Sequence, residues 1–291
     1  MSQYSLTDDQ LAELPTVFAP GIFAGQLALI SGGGTGIGKA TAALYARLGA
    51  NLAICGRDGE RLEEAAAFLR RFGTTVTTHQ MTIRDPEQVS ALIDEVWKMH
   101  GRLDILVNNA GGQFAQAALD IKPKGWNAVV DTNLNGTFYM MQQAALRWRD
   151  SGKPGNIVNV VAVVSRGLPT VAHTCAARAG QIFLSKTVAT EWAPYNIRVN
   201  CVAPGTIATD AFNYYPPEGQ ASFFQANPMK RAGDVQDIAE AIIYLTAPSG
   251  KYITGELLIV DGGQQNWGDP WFAGRPEYFE LDYEKSRQTS R

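Results

Sequence analysis

Residues 31–40 read SGGGTGIGKA, with glycine at 32, 33, 34, 36 and 38. The run follows the apolar stretch LALIS (27–31) and opens a segment of helical period, KATAALYARLGA. Glycine in that setting lets the backbone turn tightly against a pyrophosphate, whose charge meets free N–H groups at the start of the next helix. Ser31, Gly32, Gly34, Thr35, Gly36, Ile37 and Gly38 are therefore candidates for holding a dinucleotide. Further on, AICGRD places Gly56 where a carboxylate would meet a ribose 2′-hydroxyl, and Arg57 follows it. A guanidinium suits a ribose 2′-phosphate through bidentate hydrogen bonds, so NADP(H) is the expected cofactor. The alternative is that Asp58 reaches the ribose and Arg57 is a solvated loop residue.

A second stretch with chemical content is VAHTCAARAGQIFLSK, residues 171–186. His173 titrates near pH 6.5 when unperturbed, which suits polarising an oxygen or donating a proton; the alternative is a packed, hydrogen-bonded structural histidine. Arg178 carries a permanent charge and cannot act as a proton relay; an outward salt-bridging role is its bland alternative. Thr174 has an alcohol-like pKa far above a phenol's, so it is a poor acid near neutrality.

Short β-branched runs alternate with longer Ala-rich segments: LALIS, NLAIC, TVTTH, LDILVNN, NIVNVV, IRVNCVAP and LLIVDGG each precede or follow a segment of helical period. This alternation predicts an α/β fold, a Rossmann-type doubly wound parallel sheet in a single domain. Helices are expected from about Cys175 to Trp192 and from about Val235 to Leu245, and one long segment runs to Arg149. The expected organisation is an N-terminal extension over 1–25, a dinucleotide-binding and catalytic domain over 26–263, and an aromatic C-terminal tail over 264–291. Within the domain, 209–233 is polar and proline-interrupted and reads as a substrate lid.

A net charge of −3 without blocks of like charge gives no reason to expect nucleic acid or an anionic membrane as partner. Cys55, Cys175 and Cys201 are odd in number and widely spaced, which suggests neither a disulfide framework nor a metal site. The N-terminus lacks a basic region followed by an apolar core, and no apolar run reaches roughly 18 residues. A cytoplasmic protein acting on a small molecule is expected.

Over roughly Phe23 to Gly263 the chain resembles the short-chain dehydrogenase/reductase family. Gly32, Gly36 and Gly38 look like its cofactor loop, Asn108-Asn109-Ala110-Gly111 like its fourth-strand motif, and Asn133 in DTNLNGTF like its helical asparagine. Ala203-Pro204-Gly205 with Ile207 and Thr209 is similar to its nicotinamide-side loop. The resemblance implies that Asn109, Ala110 and Gly111 border the adenosine side, that Pro204, Gly205, Ile207 and Thr209 border the nicotinamide, and that Arg178 holds its ribose. Thr82 stands where many members have an aspartate near the adenine. Pairing through the helices that contain Asn133 and Arg178 is also implied, giving a homodimer or homotetramer.

The family's usual serine, tyrosine and lysine do not appear in register. The serine positions read Val161 and Ala162, and aligning Arg178 with the lysine puts Thr174 in place of the tyrosine; sliding the frame to Lys186 puts Ile182 there. NNAGGQF, KGWNAVVDTNLNGTFYM and HTCAARAG look more like trans-2-enoyl-CoA reductases and their 2,4-dienoyl-CoA relatives. There the charge develops on a thioester oxygen, which needs hydrogen-bond donors more than a strong acid. Gln113, Asn133, His173, Thr174 and Arg178 are the catalytic candidates, and an acyl-CoA is the expected substrate. Two readings compete: an alcohol, aldehyde or carbonyl dehydrogenase in breakdown of branched or isoprenoid compounds, and a nucleotide-binding protein without turnover.

Overall fold

The computed structural model describes residues 5–210, 212 and 227–266. The seven runs become β1 (Leu27–Ser31), β2 (Asn51–Gly56), β3 (Val76–Gln80), β4 (Ile105–Asn108), β5 (Gly155–Val160), β6 (Ile197–Pro204) and β7 (Leu257–Val260). They form one parallel sheet in the order β3-β2-β1-β4-β5-β6-β7. The chain winds outward from β1 in both directions, so the crevice beyond the ends of β1 and β4 is where the topology switches, the usual position of a ligand in such sheets.

Eight α-helices are described: α1 (Asp8–Glu13), α2 (Gly36–Arg47), α3 (Gly59–Arg70), α4 (Pro86–His100), α5 (Pro123–Val130), α6 (Gly136–Ser151), α7 (Ala172–Trp192) and α8 (Val235–Thr246). Local chemistry marks their ends. Asp85 caps α4 by accepting from the backbone of Glu87 and Gln88, Pro86 opens it, and Gly101 closes it in the left-handed conformation. Asp234 and Asp237 form a reciprocal capping box on α8.

Each strand presents alternate residues to opposite faces, which explains why the core has two layers. Ala28 and Ile30 of β1 and Leu52 and Ile54 of β2 pack under α2, α3 and α8. Leu27 and Leu29, with Ala53 and Cys55, pack under α4, α6 and the far end of α7. The N-terminal extension joins the first layer through Leu11 and Phe23, whose ring meets Tyr45 edge-on at 5.1 Å.

The structure sharpens two expectations. α7 begins at Ala172 rather than near Cys175, which places His173 and Thr174 on the helix. The long segment to Arg149 is not one helix: α5 and α6 are joined by a π turn over Asp131–Asn135. Continuous apolar spacing hides such a turn, because the wider winding adds a residue without adding a breaker. Most of the 209–233 segment (211 and 213–226) and the tail from 267 lie outside the described residues.

Candidate active site

The glycine loop leaves β1 and enters α2. Gly32 and Gly36 hold φ of +67° and +51°, backbone that side chains rarely adopt. Gly38 is required by contact: a Cβ there would stand 2.1 Å from the Gly32 carbonyl oxygen and 2.5 Å from Asn109 Nδ2. Thr35 is the N-cap of α2 but makes no side-chain cap, so no side chain competes for the first N–H groups of that helix. A tight cradle that ends on uncapped amides fits a pyrophosphate.

β4 supplies the second wall. Ser31 Oγ accepts from the backbone N–H groups of Asn109 and Ala110, at 3.1 and 3.0 Å, and Asn109 Nδ2 donates to the Ser31 and Gly32 carbonyls. The Ser31 hydroxyl is thus engaged as a strut between β1 and β4, and Asn109 latches the glycine loop in place. Asn133, in the π turn and almost fully buried, grips the next residues. Its Oδ1 accepts from Gly112 N at 3.0 Å and its Nδ2 donates to Gly112 O at 2.9 Å. Asn133 therefore satisfies a backbone gap.

The third wall is α7, whose buried stripe runs through Thr174, Ala177, Arg178, Gln181, Ile182 and Ser185 at helical spacing. Arg178 is 8% exposed, and no carboxylate pairs with it among the described residues. The outward, salt-bridging alternative for this arginine is overturned. Its Nη1 donates to the Val160 carbonyl at 3.0 Å and to Gln181 Oε1 at 2.8 Å. Burial pulls the guanidinium down to about 10, still protonated at neutral pH. Cys201 beside it is no counter-charge, since burial pushes that thiol up to about 11. Charge-bearing groups normally stay wet or paired, because desolvating an unpaired ion costs several kcal/mol.

One turn earlier, Thr174 Oγ1 and His173 Nε2 are buried without hydrogen-bond partners. The Thr174 N–H donates to His173 Nδ1 at 2.7 Å, so the proton of the neutral ring sits on Nε2. His173 is fully buried beneath Phe114, whose ring meets it edge-on at 4.5 Å and is itself 40% exposed. Gly125 on α5 admits that ring, since a Cβ there would stand 2.8 Å from Phe114 Cζ. Gln113, next to Phe114, is exposed.

Burial lowers the His173 pKa from 6.5, while the nearby backbone of Phe114 and Val171 pulls weakly the other way. The folded chain then binds this proton less readily than the unfolded chain. The stability so contributed is fully present above about pH 6.5 and is lost as pH falls through the lowered folded value. We expect the urea midpoint to drop between about pH 7 and about pH 5, and to drop less for His173→Phe. Equal pH slopes in the two proteins would remove His173 as a source.

The remaining candidates fall along the same crevice. Arg57 is exposed at the end of β2, while Asp58 caps α3 and pairs with Arg61 at 3.2 Å, which occupies its carboxylate. Thr82 lies past β3, with its N–H donating to Gln88 Oε1 and its hydroxyl accepting from Arg84 N. Pro204 ends β6, Ile207 bridges to Gly233, and a Cβ on Gly36 would lie 3.9 Å from Thr209 Cγ2. The loop after β6 and the glycine loop therefore meet. Ser165 donates to Gln265 Oε1 at 3.2 Å, tying the loop after β5 to the segment after β7. A cavity of about 340 Å³ lies beside this crevice, against Ile207, Asn227, Arg231 and Asp261.

Two participants were not visible in the sequence. Phe114 covers His173 across a tertiary contact that local spacing does not announce. Gln181 is fully buried against Arg178, and its only signal is a glutamine three residues on, along a stripe otherwise made of small or apolar groups.

Residues 32–265 match the family described as enoyl-(acyl carrier protein) reductase. A probable 2,4-dienoyl-CoA reductase, (2E)-enoyl-CoA-producing, of Bacillus subtilis (strain 168) is 38% identical over 248 residues, spanning 84% of this chain and 97% of that one. A peroxisomal 2,4-dienoyl-CoA reductase of Rattus norvegicus is 36% identical over 262 residues, 88% of this chain and 89% of its own. Among solved structures, a citronellol catabolism dehydrogenase of Pseudomonas aeruginosa PAO1 superposes with a TM-score of 0.78 at 35% identity, covering 87% of this chain and 100% of that one.

Proposed function

The chain belongs to the enoyl-(acyl carrier protein) reductase family of short-chain dehydrogenase/reductases, and from that premise we propose that it is an NADPH-dependent reductase of a C=C bond conjugated to a thioester, an enoyl- or dienoyl-CoA. The observation that carries the reading is Arg178: a buried, unneutralised cation under the Gly111–Gly112 loop, with Thr174 one turn earlier instead of a strong acid. The similarity to 2,4-dienoyl-CoA reductases supports the same bond type.

The residues present fit a dinucleotide. The glycine cradle and the uncapped start of α2 would hold the pyrophosphate, Arg57 the 2′-phosphate, Asn109 to Gly111 the adenosine side, and Ile207 and Thr209 the nicotinamide. A bound nicotinamide would supply the hydride. The protein's part is to orient the acyl chain and to stabilise charge on the thioester oxygen. Gln113, on the exposed rim, offers an amide donor to that oxygen. His173 offers its Nε2–H once Phe114 moves aside, and Arg178 makes the local potential positive without transferring a proton. Asn133 and Asn109 hold the loop that carries Gln113. Among the described residues no helix is long and apolar enough to cross a membrane.

The test is loss of NADPH absorbance with a panel of trans-2-enoyl-CoA and 2,4-dienoyl-CoA esters, repeated for Gln113→Ala and His173→Ala. Turnover of an ester that falls in either variant is the expected result. NADPH binding without turnover of any ester would sink the reading. A second reading, oxidation of a branched alcohol, is favoured by the likeness to the citronellol catabolism dehydrogenase. Isoprenoid alcohols with NADP+ therefore belong in the same panel.

A further inference from the structure

We propose that Gln181 is a positioning residue of this site: it fixes the guanidinium plane of Arg178 so that Nη2 faces the Gly111 backbone, and it does so without neutralising the charge. The inference deepens the reading above, because it concerns how that cation is presented.

Both hydrogens of Arg178 Nη1 are used, one on the Val160 carbonyl at 3.0 Å and one on Gln181 Oε1 at 2.8 Å. A planar guanidinium held at two points on one nitrogen cannot rotate, so its other nitrogens are aimed by default. Nη2 then lies against the loop: a Cβ on Gly111 would meet it at 2.2 Å and Asn133 Oδ1 at 3.1 Å. The orientation of the amide follows from chemistry. Arginine only donates, so the Gln181 oxygen must face it, and Nε2 is left buried with no acceptor. A residue chosen for packing would be apolar in this stripe and would leave no orphaned donor. A residue chosen to stabilise the charge would be a carboxylate. Glutamine does neither. It supplies one acceptor at the right place and leaves the positive potential intact for an anionic or developing-anion partner in the crevice. Gln181 is itself fully buried, so its proposed action on the site runs through Arg178.

The experiment is a double-mutant cycle on affinity for reduced nicotinamide dinucleotide, read by fluorescence titration with NADPH and with NADH, in the wild type, Gln181→Met, Arg178→Met and the double variant. Gln181→Leu is run in parallel and read the same way. A residue that works through Arg178 weakens binding about tenfold when replaced in the wild type, the scale of one hydrogen bond to a charged group, and has no further effect once Arg178 is gone. Multiplying effects would assign Gln181 an independent packing role and overturn the proposal, as would unchanged affinity in Gln181→Met and Gln181→Leu. Affinity is read without substrate, so a chain that oxidises alcohols instead of reducing thioesters gives the same cycle; failure of the substrate reading and failure of this inference are thus separate outcomes.

Discussion

Replacing Arg178 by methionine is expected to lower turnover by about a hundredfold or more while moving stability by no more than about 2 kcal/mol. Truncating a well-packed buried side chain ordinarily costs 2–5 kcal/mol, on the order of a cavity plus lost transfer energy. Arg178 differs because its burial is itself unfavourable: no carboxylate pairs with it among the described residues, and burial has already pulled its pKa to about 10. Methionine removes that desolvation penalty, several kcal/mol in kind, but leaves the Val160 carbonyl and Gln181 Oε1 without a donor at about 1–3 kcal/mol each. The opposing changes nearly cancel. Chemical denaturation and turnover on the same preparations decide it. A variant that loses stability in step with activity would make Arg178 a structural residue, and a variant that keeps its activity would remove it from the site.

Gly38→Val is expected to abolish dinucleotide binding, weakening it by about a hundredfold or more, with the far-ultraviolet circular dichroism unchanged. The added Cβ would sit 2.1 Å from the Gly32 oxygen, which is backbone and cannot swing away, and 2.5 Å from the Asn109 amide that latches the loop. Relief requires the glycine loop to lift off β4, breaking the Asn109 contacts to Ser31 and Gly32. The sheet is unaffected, because β1 pairs with β2 and β4 through residues 27–31, before the turn. Calorimetric titration with NADPH reads the result. Binding within about threefold of wild type would show that the loop yields more easily than backbone contacts of this kind allow.

Strands were legible in the sequence because parallel strands buried on both sides read as short apolar runs, and IRVNCVAP is β6 to the residue. The glycine turn was legible because glycines follow a strand and open a helix. Asp58 could compete with Arg57 on sequence, and only the structure shows its carboxylate committed to the start of α3. Arg178 carries an outward alternative on sequence, since arginine is seldom buried, and only the structure shows it buried with no carboxylate beside it among the described residues. His173 offers a titratable group but no hint of the Phe114 ring above it. What sequence conveys here is local geometry; what it withholds is which polar groups are left uncompensated.

The π turn at Asp131–Asn135 has a genetic consequence. It amounts to a single extra residue between α5 and α6, and Asn133 reaches Gly112 from within it. Deleting one codon in that turn would splice the two helices into one continuous rod and leave α6 nearly in phase with α5, because five residues of the wider winding cover about the same rotation as four of regular α-helix. Trp148, Met140 and Met141 in the core fix α6 against the sheet, so that helix keeps its place. Alleles that shorten this turn therefore differ in kind from point substitutions. They remove the bulge from which Asn133 grips Gly112, and with it the hold on the loop that carries Gln113.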